Sequence, residues 1–264
     1  YNAVGNAYTA RTITVMATDG ASYVYPCSKT SIDEGDMVSI GFGSAETDVS
    51  ILNSASLSGR VSGYSIGSRT MAKDVRILDV NGTEAKRIYY SRLDGAELDS
   101  SDVRYYAANE AGEITDLILR NFTGDLYEYG IITSVSEQDT DMSLSGSYTY
   151  LLDGEERTLT TSGKTLGAST GPARLTIENG QLDSVRSLRE IRNPDAITPL
   201  GITKDEETWL FSDECAVYLY QNSDYSLLSL TELRNNFSSY SITCYYDEDT
   251  EDGGRIRIVI ARPQ

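Results

Sequence analysis

The residue types that carry most enzyme chemistry are missing from this sequence or have no recognisable partner in it. The 264 residues include no histidine, which removes Ser-His-Asp and Cys-His nucleophiles, histidine metal sites and imidazole acid-base catalysis. We also predict no nucleophile elbow, phosphate-binding Walker loop or dinucleotide-binding loop. The protein is therefore predicted not to be an enzyme, with no catalytic residues and no cofactor.

The densest acidic segment runs from Asp247 to Gly254. Hard cations such as Ca²⁺ need several carboxylate oxygens from one short segment, so this run invites comparison with a calcium loop. An EF-type loop requires Gly at position six and Glu at position twelve, where this run has Asp252 and Ile258. We predict a solvated hairpin loop and no metal site, with adventitious cation binding as the alternative.

Forty Asp and Glu residues would also allow an acid and nucleophile pair of the glycosidase kind. Such a pair needs only two carboxylates facing each other at roughly 5 to 10 Å. No pair is singled out by its spacing in the sequence. A carboxylate-dependent hydrolase is therefore kept as the third hypothesis for function.

Tyrosine is unusually frequent, with 19 residues beside four Phe and one Trp. Most of them come in pairs: Tyr23 and Tyr25, Tyr89 and Tyr90, Tyr105 and Tyr106, Tyr127 and Tyr129, Tyr148 and Tyr150, Tyr218 and Tyr220, Tyr245 and Tyr246. We expect these rings to cover the rims of thin β cores, with their hydroxyls in water. The alternative is that same-face pairs such as Tyr127 and Tyr129 form a platform for sugars or peptide.

The three cysteines, Cys27, Cys215 and Cys244, are too few for a disulfide scaffold, and their odd number leaves at least one of them unpaired within the chain. A bridge from Cys215 to Cys244 across neighbouring strands is one hypothesis. The other, which we prefer, is that the thiols are free and behave as small apolar residues. Without a CxxC spacing or a histidine, no zinc site is expected.

A net charge of −18 limits the partners of this chain. Binding to nucleic acid or to anionic lipid depends on Lys and Arg, so neither is an expected partner. No window approaches the roughly 20 apolar residues of a membrane helix. Because the chain starts at Tyr1 and not at Met, we expect a mature fragment of a longer protein.

The elements that must position these residues are predicted to be almost entirely β-strands. Apolar and polar residues alternate with period two, and turn residues interrupt them every eight to twelve residues. The clearest hairpin joins strands Val103–Asn109 and Glu113–Leu119, and a further strand is expected over Leu126–Val135. A strand around Val75–Asp79 is predicted to be buried on both faces and to stop at the Asn81-Gly82 turn.

The second half of the sequence repeats the pattern of the first. The Tyr105-Tyr106 pair recurs as Tyr245-Tyr246, Gly112 recurs as Gly254, and the strand around Val75 recurs around Val217. Ser91 with Asp94 recurs as Ser229 with Glu232, so each half is predicted to carry one short helix capped by that serine. We predict a tandem duplication of small β-barrel or sandwich units, with repeats at 1–134 and 147–264 and a polar linker at 135–146.

One segment resembles a known family. Within residues 73–134, the stretches Asp74–Leu78, Asp102–Tyr106 and Gly124–Gly130 look like the β-rich region that follows the S-layer homology repeats in surface proteins of clostridia and related Gram-positive bacteria. Residues 239–259 are similar. The resemblance implies a secreted protein on the cell surface of a Gram-positive bacterium, whose S-layer homology repeats, outside this chain, hold it to cell-wall polymer. That region of the family has no activity to transfer, so no functional residue is carried over.

The function expected from these observations is that of a non-catalytic extracellular cell-envelope module, a spacer or assembly element of a surface protein. Its partners would be cell-wall polymer or other surface proteins. The first alternative is a module that binds glycan or cell-wall polymer through exposed Tyr pairs. Neither the ligand-binding residues nor the oligomeric state is specified by the sequence.

Overall fold

The computed structural model describes residues 11–43, 47–53, 56–140 and 143–264, and over these residues the chain is all-β. Strand accounts for 59% and helix for 7%, which confirms the fold class that the period-two pattern predicts. The chain divides into two compact units, Tyr1–Leu126 (unit 1) and Tyr127–Gln264 (unit 2). None of the helices in the described ranges is both long and apolar enough to cross a membrane.

In its described residues, unit 1 has eleven strands and one α-helix: β1 (Thr12–Met16), β2 (Ser22–Pro26), β3 (Val38–Phe42), β4 (Thr47–Ile51), β5 (Gly59–Ser62), β6 (Ser65–Ile66), β7 (Arg69–Asn81), β8 (Glu84–Ile88), α1 (Tyr90–Leu93), β9 (Glu97–Leu98), β10 (Val103–Ala108) and β11 (Ile114–Arg120). β1 pairs with β2 and β3 with β4 as separate hairpins. The other strands form a seven-stranded sheet in the order β10-β11-β7-β6-β5-β9, with β8 paired to β7. Its core includes Ile77, Leu93 and Leu117.

Unit 2 has twelve strands and one α-helix in the described residues: β12 (Glu128–Thr140), β13 (Ser143–Leu152), β14 (Glu155–Thr160), β15 (Gly171–Glu178), β16 (Gln181–Ser187), β17 (Arg189–Arg192), β18 (Ala196–Ile197), β19 (Gly201–Lys204), β20 (Glu207–Gln221), β21 (Asp224–Leu227), α2 (Leu230–Asn235), β22 (Tyr240–Tyr246) and β23 (Ile256–Pro263). Two 3₁₀ turns lie at Phe237–Ser239 and Thr250–Asp252. A five-stranded sheet has the order β14-β13-β12-β15-β16. A seven-stranded sheet has the order β17-β22-β23-β20-β19-β18, with β21 paired to β20.

The two seven-stranded sheets share the order and direction of their central strands. β7 and β11 are parallel neighbours in unit 1, as β20 and β23 are in unit 2. Antiparallel β10 flanks the first pair and antiparallel β22 the second, while β8 and β21 pair with the equivalent long strand. The sheets differ at their ends, where β9 pairs with β5 but β17 pairs with β22. This similarity supports the tandem duplication, which stays a proposal.

The strand registers correct one of the residue matches that the sequence analysis makes between the two halves of the chain. Leu117 faces Ile77 across the parallel pair of unit 1, and Val259 faces Val217 in unit 2. The residue equivalent to Val217 by register is therefore Ile77 and not Val75. A two-residue shift is easy to miss in sequence because an alternating strand looks alike at neighbouring even offsets.

The central strands are apolar because both of their faces are covered. Ile77, Leu78 and Asp79 are consecutive buried residues of β7, which confirms the strand predicted to be buried on both sides. The run from Ile256 to Ala261 in β23 is also buried throughout. Parallel strands covered on both faces are typically rich in apolar residues, and here the buried runs are interrupted only by the hydrogen-bonded Asp79 and the ion-paired Arg257.

The structure has no linker in the described part of residues 135–146, and the boundary between its compact units lies elsewhere. Residues 135–140 end β12 and residues 143–146 begin β13, and the compact units meet between Leu126 and Tyr127. Ser136 to Thr140 are exposed, so this hairpin arm has no buried face to demand apolar residues. Its polar composition is therefore typical of a linker although its backbone is paired.

Each unit has one short α-helix, as predicted, but only one of the two serine caps is correct. The Ser229 Oγ accepts a hydrogen bond from the Glu232 amide at 3.1 Å, which caps α2. The prediction for Ser91 is wrong: this residue lies inside α1, whose N-cap is Tyr89 and has no side-chain cap bond. Tyr89 occupies the place of Ser229 when β8 and β21 are aligned.

Candidate functional site

The acidic segment from Asp247 to Gly254 is the loop of the β22-β23 hairpin, as predicted, but it is less solvated than predicted because Asp247, Gly253 and Gly254 are buried. Its carboxylates contact arginines: Glu248 lies 2.8 Å from both Arg186 and Arg189, and Asp249 lies 3.1 Å from Arg189. Gly254 packs so closely that a Cβ there would lie 1.8 Å from the Glu248 carbonyl oxygen. In the described ranges, no group of three or more Cys, Asp and Glu residues is arranged to hold a metal ion.

Asp247 itself points away from solvent and is the centre of a buried polar cluster in unit 2. Its Oδ2 accepts hydrogen bonds from Arg257 Nε at 2.9 Å and Nη2 at 2.7 Å, and from the Tyr129 hydroxyl at 2.9 Å. Its Oδ1 accepts from the Glu248 and Arg255 amides at 3.0 and 2.8 Å. The carboxylate therefore ties β12, the hairpin loop and β23 together.

The cluster is buried, which strengthens the electrostatic interactions among its members. The side chains of Arg257 and Asp247 are only 3% and 6% exposed. The Arg257 guanidinium also lies 4.5 Å from the centre of the Tyr129 ring, a cation-π contact. Burial is the main cause that raises the pKa of Tyr129. The charge of Arg257 lowers this pKa, and the charge of Asp247 raises it. The phenol therefore keeps its proton and acts as a hydrogen-bond donor.

Unit 1 has a buried carboxylate of its own, Asp79 on β7. It accepts hydrogen bonds from the Phe122 and Thr123 amides at 2.9 and 2.8 Å, and from the Thr123 hydroxyl at 2.6 Å. Burial is the main cause that raises its pKa, against the effect of these donors. Nearby, Arg92 of α1 forms a two-pronged ion pair with Asp125 at 2.8 and 3.0 Å. This network fixes the chain that leaves β11.

Neither buried carboxylate is placed for acid-base chemistry on a substrate. Asp79 has no exposed surface, and Asp247 is buried, so a glycosidic bond cannot reach either one. Their lone pairs are directed at the chain's own amides, hydroxyls and guanidinium groups. The geometry thus assigns both Asp79 and Asp247 a structural role.

Residues Gly63 to Gly67 have the GxSxG spacing of a nucleophile elbow, a motif that the sequence analysis predicted to be absent. A nucleophile elbow requires a sharp strand-to-helix turn and a histidine base. Here Gly63 and Tyr64, with φ of 56° and 58°, form the tight turn of the β5-β6 hairpin, and Ser65 belongs to β6. The spacing is present, but its structural context is not that of an esterase.

The tyrosine pairs separate into packed and exposed members. Tyr148, Tyr150 and Tyr218 are fully buried core residues, contrary to the rim position that we expect for such rings. In the candidate platform, Arg174 lies 4.1 Å from the centre of the Tyr127 ring, and Tyr129 belongs to the Asp247 cluster. Both rings of that pair are thus engaged by arginines of the same unit.

The three cysteines are free thiols, as preferred in the sequence analysis. Cys215 lies on β20 and Cys244 on β22, and β23 runs between these two strands. Strands two positions apart are separated by about 9.5 Å, whereas a disulfide joins Cα atoms no more than about 7 Å apart. Because β20 and β22 are not neighbouring strands, the basis of the bridging hypothesis is removed. Burial raises the pKa of the Cys215 thiol to about 12, which disfavours the reactive thiolate.

The sequence analysis missed the most exposed ring of the described residues, Phe42, which is 75% exposed at the end of β3. The Gly41-Phe42-Gly43 segment is interpreted from sequence only as the end of a strand, which is where β3 ends. Its signal in the sequence is a lone aromatic residue between Gly41 and Gly43, which have no side chains to cover it.

Comparison of the chain with protein-family models, curated proteins and solved structures found no match.

Proposed function

We propose that this chain is a non-catalytic extracellular module of a cell-envelope protein, where it acts as a spacer or assembly element. The observation that carries the proposal is the equivalent central strand order of the two seven-stranded sheets. Proteins that place one architecture twice in succession gain length and contact surface without needing an active site. The resemblance of residues 73–134 and 239–259 to the region after S-layer homology repeats supports a location on the surface of a Gram-positive bacterium.

The way the charged groups are used also supports a passive module. The buried carboxylates, Asp79 and Asp247, are saturated by donors of their own unit, and the exposed acidic loop at 248–249 pairs with Arg186 and Arg189. The abundance of exposed carboxylates keeps the surface strongly negative, which favours solubility and repels polyanions.

The test is to locate the protein in the bacterium that encodes it. Antibodies against the purified chain are applied to intact cells and to lysed cells, with an antibody against a ribosomal protein as the control. The proposal predicts equal labelling of intact and lysed cells by the first antibody only. Labelling that requires lysis would refute the proposal.

A test of the non-catalytic part uses purified cell wall as substrate. The chain is incubated with peptidoglycan and its attached polymers, and the soluble fraction is assayed for new reducing ends and new amino groups. The proposal predicts no more of either than a heat-denatured sample releases. Release that depends on the folded chain would instead favour the hydrolase hypothesis.

A further inference from the structure

The exposed aromatic side chains of the described residues all lie in unit 1. They are Tyr23, Phe42, Tyr64 and Tyr89, with 40%, 75%, 41% and 69% of their surface exposed. In unit 2 every described Tyr, Phe and Trp is at least partly buried. Aromatic side chains contribute most to binding when they leave water, so exposed rings that lie together are candidates for a contact surface.

Two of these rings belong to a continuous row on the first two hairpins. Tyr25 lies between Tyr23 and Phe42, with ring centroids at 6.2 Å and 5.7 Å. Tyr23 and Tyr25 are two residues apart on β2 and share a face with Ile13 and Val15, their partners on β1. The inner part of that face packs, and its outer rings stay in solvent.

Polar groups extend the row toward the end of β8. The Tyr23 hydroxyl donates to Asp19 Oδ2 at 2.8 Å, and Arg87 Nη1 donates to the Asp19 carbonyl oxygen at 3.2 Å. The Arg87 guanidinium lies 5.5 Å from the centre of the Tyr89 ring. We name this row the aromatic ridge; it consists of Phe42, Tyr25, Tyr23, Asp19, Arg87 and Tyr89.

The ridge combines two kinds of contact. Its rings offer flat apolar faces, while Asp19 offers an exposed hydrogen-bond acceptor and Arg87 an exposed donor. Hydrogen bonds from the Ala21 amide and the Tyr23 hydroxyl hold the pKa of Asp19 below its usual value, so it remains an anionic acceptor. The same contacts hold the polar groups in place before any ligand arrives.

A small cavity adjoins the Phe42 end of the ridge. It measures about 130 Å³ and is lined by residues that include Lys29, Asp48 and Thr47, the β4 partner of Phe42. Lys29 and Asp48 form an ion pair of 3.1 Å at its edge. A cavity of this size holds a polar substituent and not a whole ligand.

The chemistry of the ridge selects among possible occupants. Single-stranded nucleic acid also stacks on exposed rings, but it needs a positively charged groove, and this chain has a net charge of −18. A purely apolar partner would remove water from the charged Asp19 and Arg87 side chains without offering them any new hydrogen bond, which is unfavourable. A pyranose ring presents a flat C–H face to an aromatic ring and hydroxyls at its rim to charged groups.

We propose that the aromatic ridge of unit 1 binds an extended carbohydrate chain of neutral or N-acetylated amino sugars. Its pyranose faces stack on Phe42, Tyr23 and Tyr89, its hydroxyls bond Asp19 and Arg87, and a substituent enters the cavity beside Phe42. This site goes beyond the proposed role as a spacer, and its failure would leave that role standing.

The test is calorimetric titration of the intact chain with four probes: hexamers of β-1,4-linked N-acetylglucosamine and of β-1,4-linked glucose, polyuridylate, and an unstructured peptide mixture. Phe42→Ala and Tyr23→Ala each remove a ridge ring. Leu200→Ala, which removes an apolar side chain 74% exposed in unit 2, is the matched control. Circular dichroism and thermal unfolding verify that every variant is folded.

The proposal predicts that at least one hexasaccharide binds, and that each ridge substitution weakens binding by up to about tenfold while Leu200→Ala leaves it unchanged. Asp19→Asn, which keeps every ring, should weaken binding less than the loss of a ring. Three results would each overturn the proposal: no heat with either hexasaccharide, saccharide binding that ridge variants leave unchanged, or ridge-dependent binding of peptide or polyuridylate alone.

Discussion

Asp247→Asn is the substitution that separates a structural cluster from a dispensable surface charge most sharply. The asparagine keeps Oδ1, so the Glu248 and Arg255 amides retain their acceptor. It replaces Oδ2 by an NH₂ group, which faces three donors from Arg257 and Tyr129. Removing one partner of a buried ion pair costs about 3–5 kcal/mol, because the other charge stays desolvated.

The loss can be measured in unit 2 alone because Trp209 is the only tryptophan of the chain. It lies on β20 and packs against the core of the seven-stranded sheet in unit 2. Urea unfolding followed by Trp209 fluorescence therefore reports that unit. We expect Asp247→Asn to lower the midpoint by roughly 1.5–2.5 M, given a slope of about 2 kcal/mol per molar urea.

Asp249→Asn is the matched control in the same loop. Asp249 also pairs with an arginine, Arg189 at 3.1 Å, but the two side chains are 48% and 43% exposed. Exposed pairs contribute about 0–1 kcal/mol, so this midpoint should move little. If Asp247→Asn fails to fold, Tyr129→Phe removes only one hydroxyl and should cost about 1.5–3 kcal/mol. An Asp247→Asn midpoint no lower than that of Asp249→Asn would refute the reasoning.

Three further predictions follow from particular contacts. Ser229→Ala should lower the free energy of unfolding of unit 2 by about 1 kcal/mol, measured through Trp209, because it removes the α2 cap. Ser91→Ala should change the free energy of unfolding of unit 1 by less than about 0.5 kcal/mol in far-ultraviolet circular dichroism melts. Equal effects would show that the caps are misassigned. Thiol titration under denaturing, non-reducing conditions should find all three cysteines free, and a single free thiol would show a bridge. The raised pKa of Tyr129 contributes stability that is fully present below the ordinary tyrosine pKa of about 10 and is lost as the pH rises toward the folded-state pKa. Tyr129→Phe should therefore flatten the fall in unit 2 stability between about pH 10 and 11. An unchanged slope would count against the buried phenol.

The sequence predicts the strands of this protein well because period-two alternation is a local property. The β10-β11 hairpin, the strand that becomes β12 and the doubly buried end of β7 all lie where the pattern places them. The helix positions are also local, since Ser229 with Glu232 forms a capping motif. Ser91 misled us because a serine and an acidic residue three positions later occur by chance, and Tyr89 leads into α1 without a side-chain cap.

What the sequence could not specify depends on contacts between distant residues. Tyr129 and Asp247 are 118 residues apart and meet only because the sheets of unit 2 bring them together. The same holds for Asp79 and Thr123, which are 44 residues apart. The aromatic ridge is likewise assembled from three hairpins, so its members carry no common spacing. Counting tyrosine pairs found Tyr23 and Tyr25 but could not find Phe42.

The measurement that tests the central claim most directly is co-sedimentation with cell wall. The central claim is that this chain acts by contact and not by catalysis. The chain, Phe42→Ala and Leu200→Ala are each mixed with purified Gram-positive cell wall, and the pellet is assayed for protein while the supernatant is assayed for new reducing ends. The account predicts that the chain and Leu200→Ala sediment with the wall, that Phe42→Ala largely stays in solution, and that no reducing ends appear. Folded-chain-dependent release of reducing ends would contradict the central claim, whereas equal sedimentation of Phe42→Ala and the unchanged chain would contradict the aromatic ridge as the site of contact.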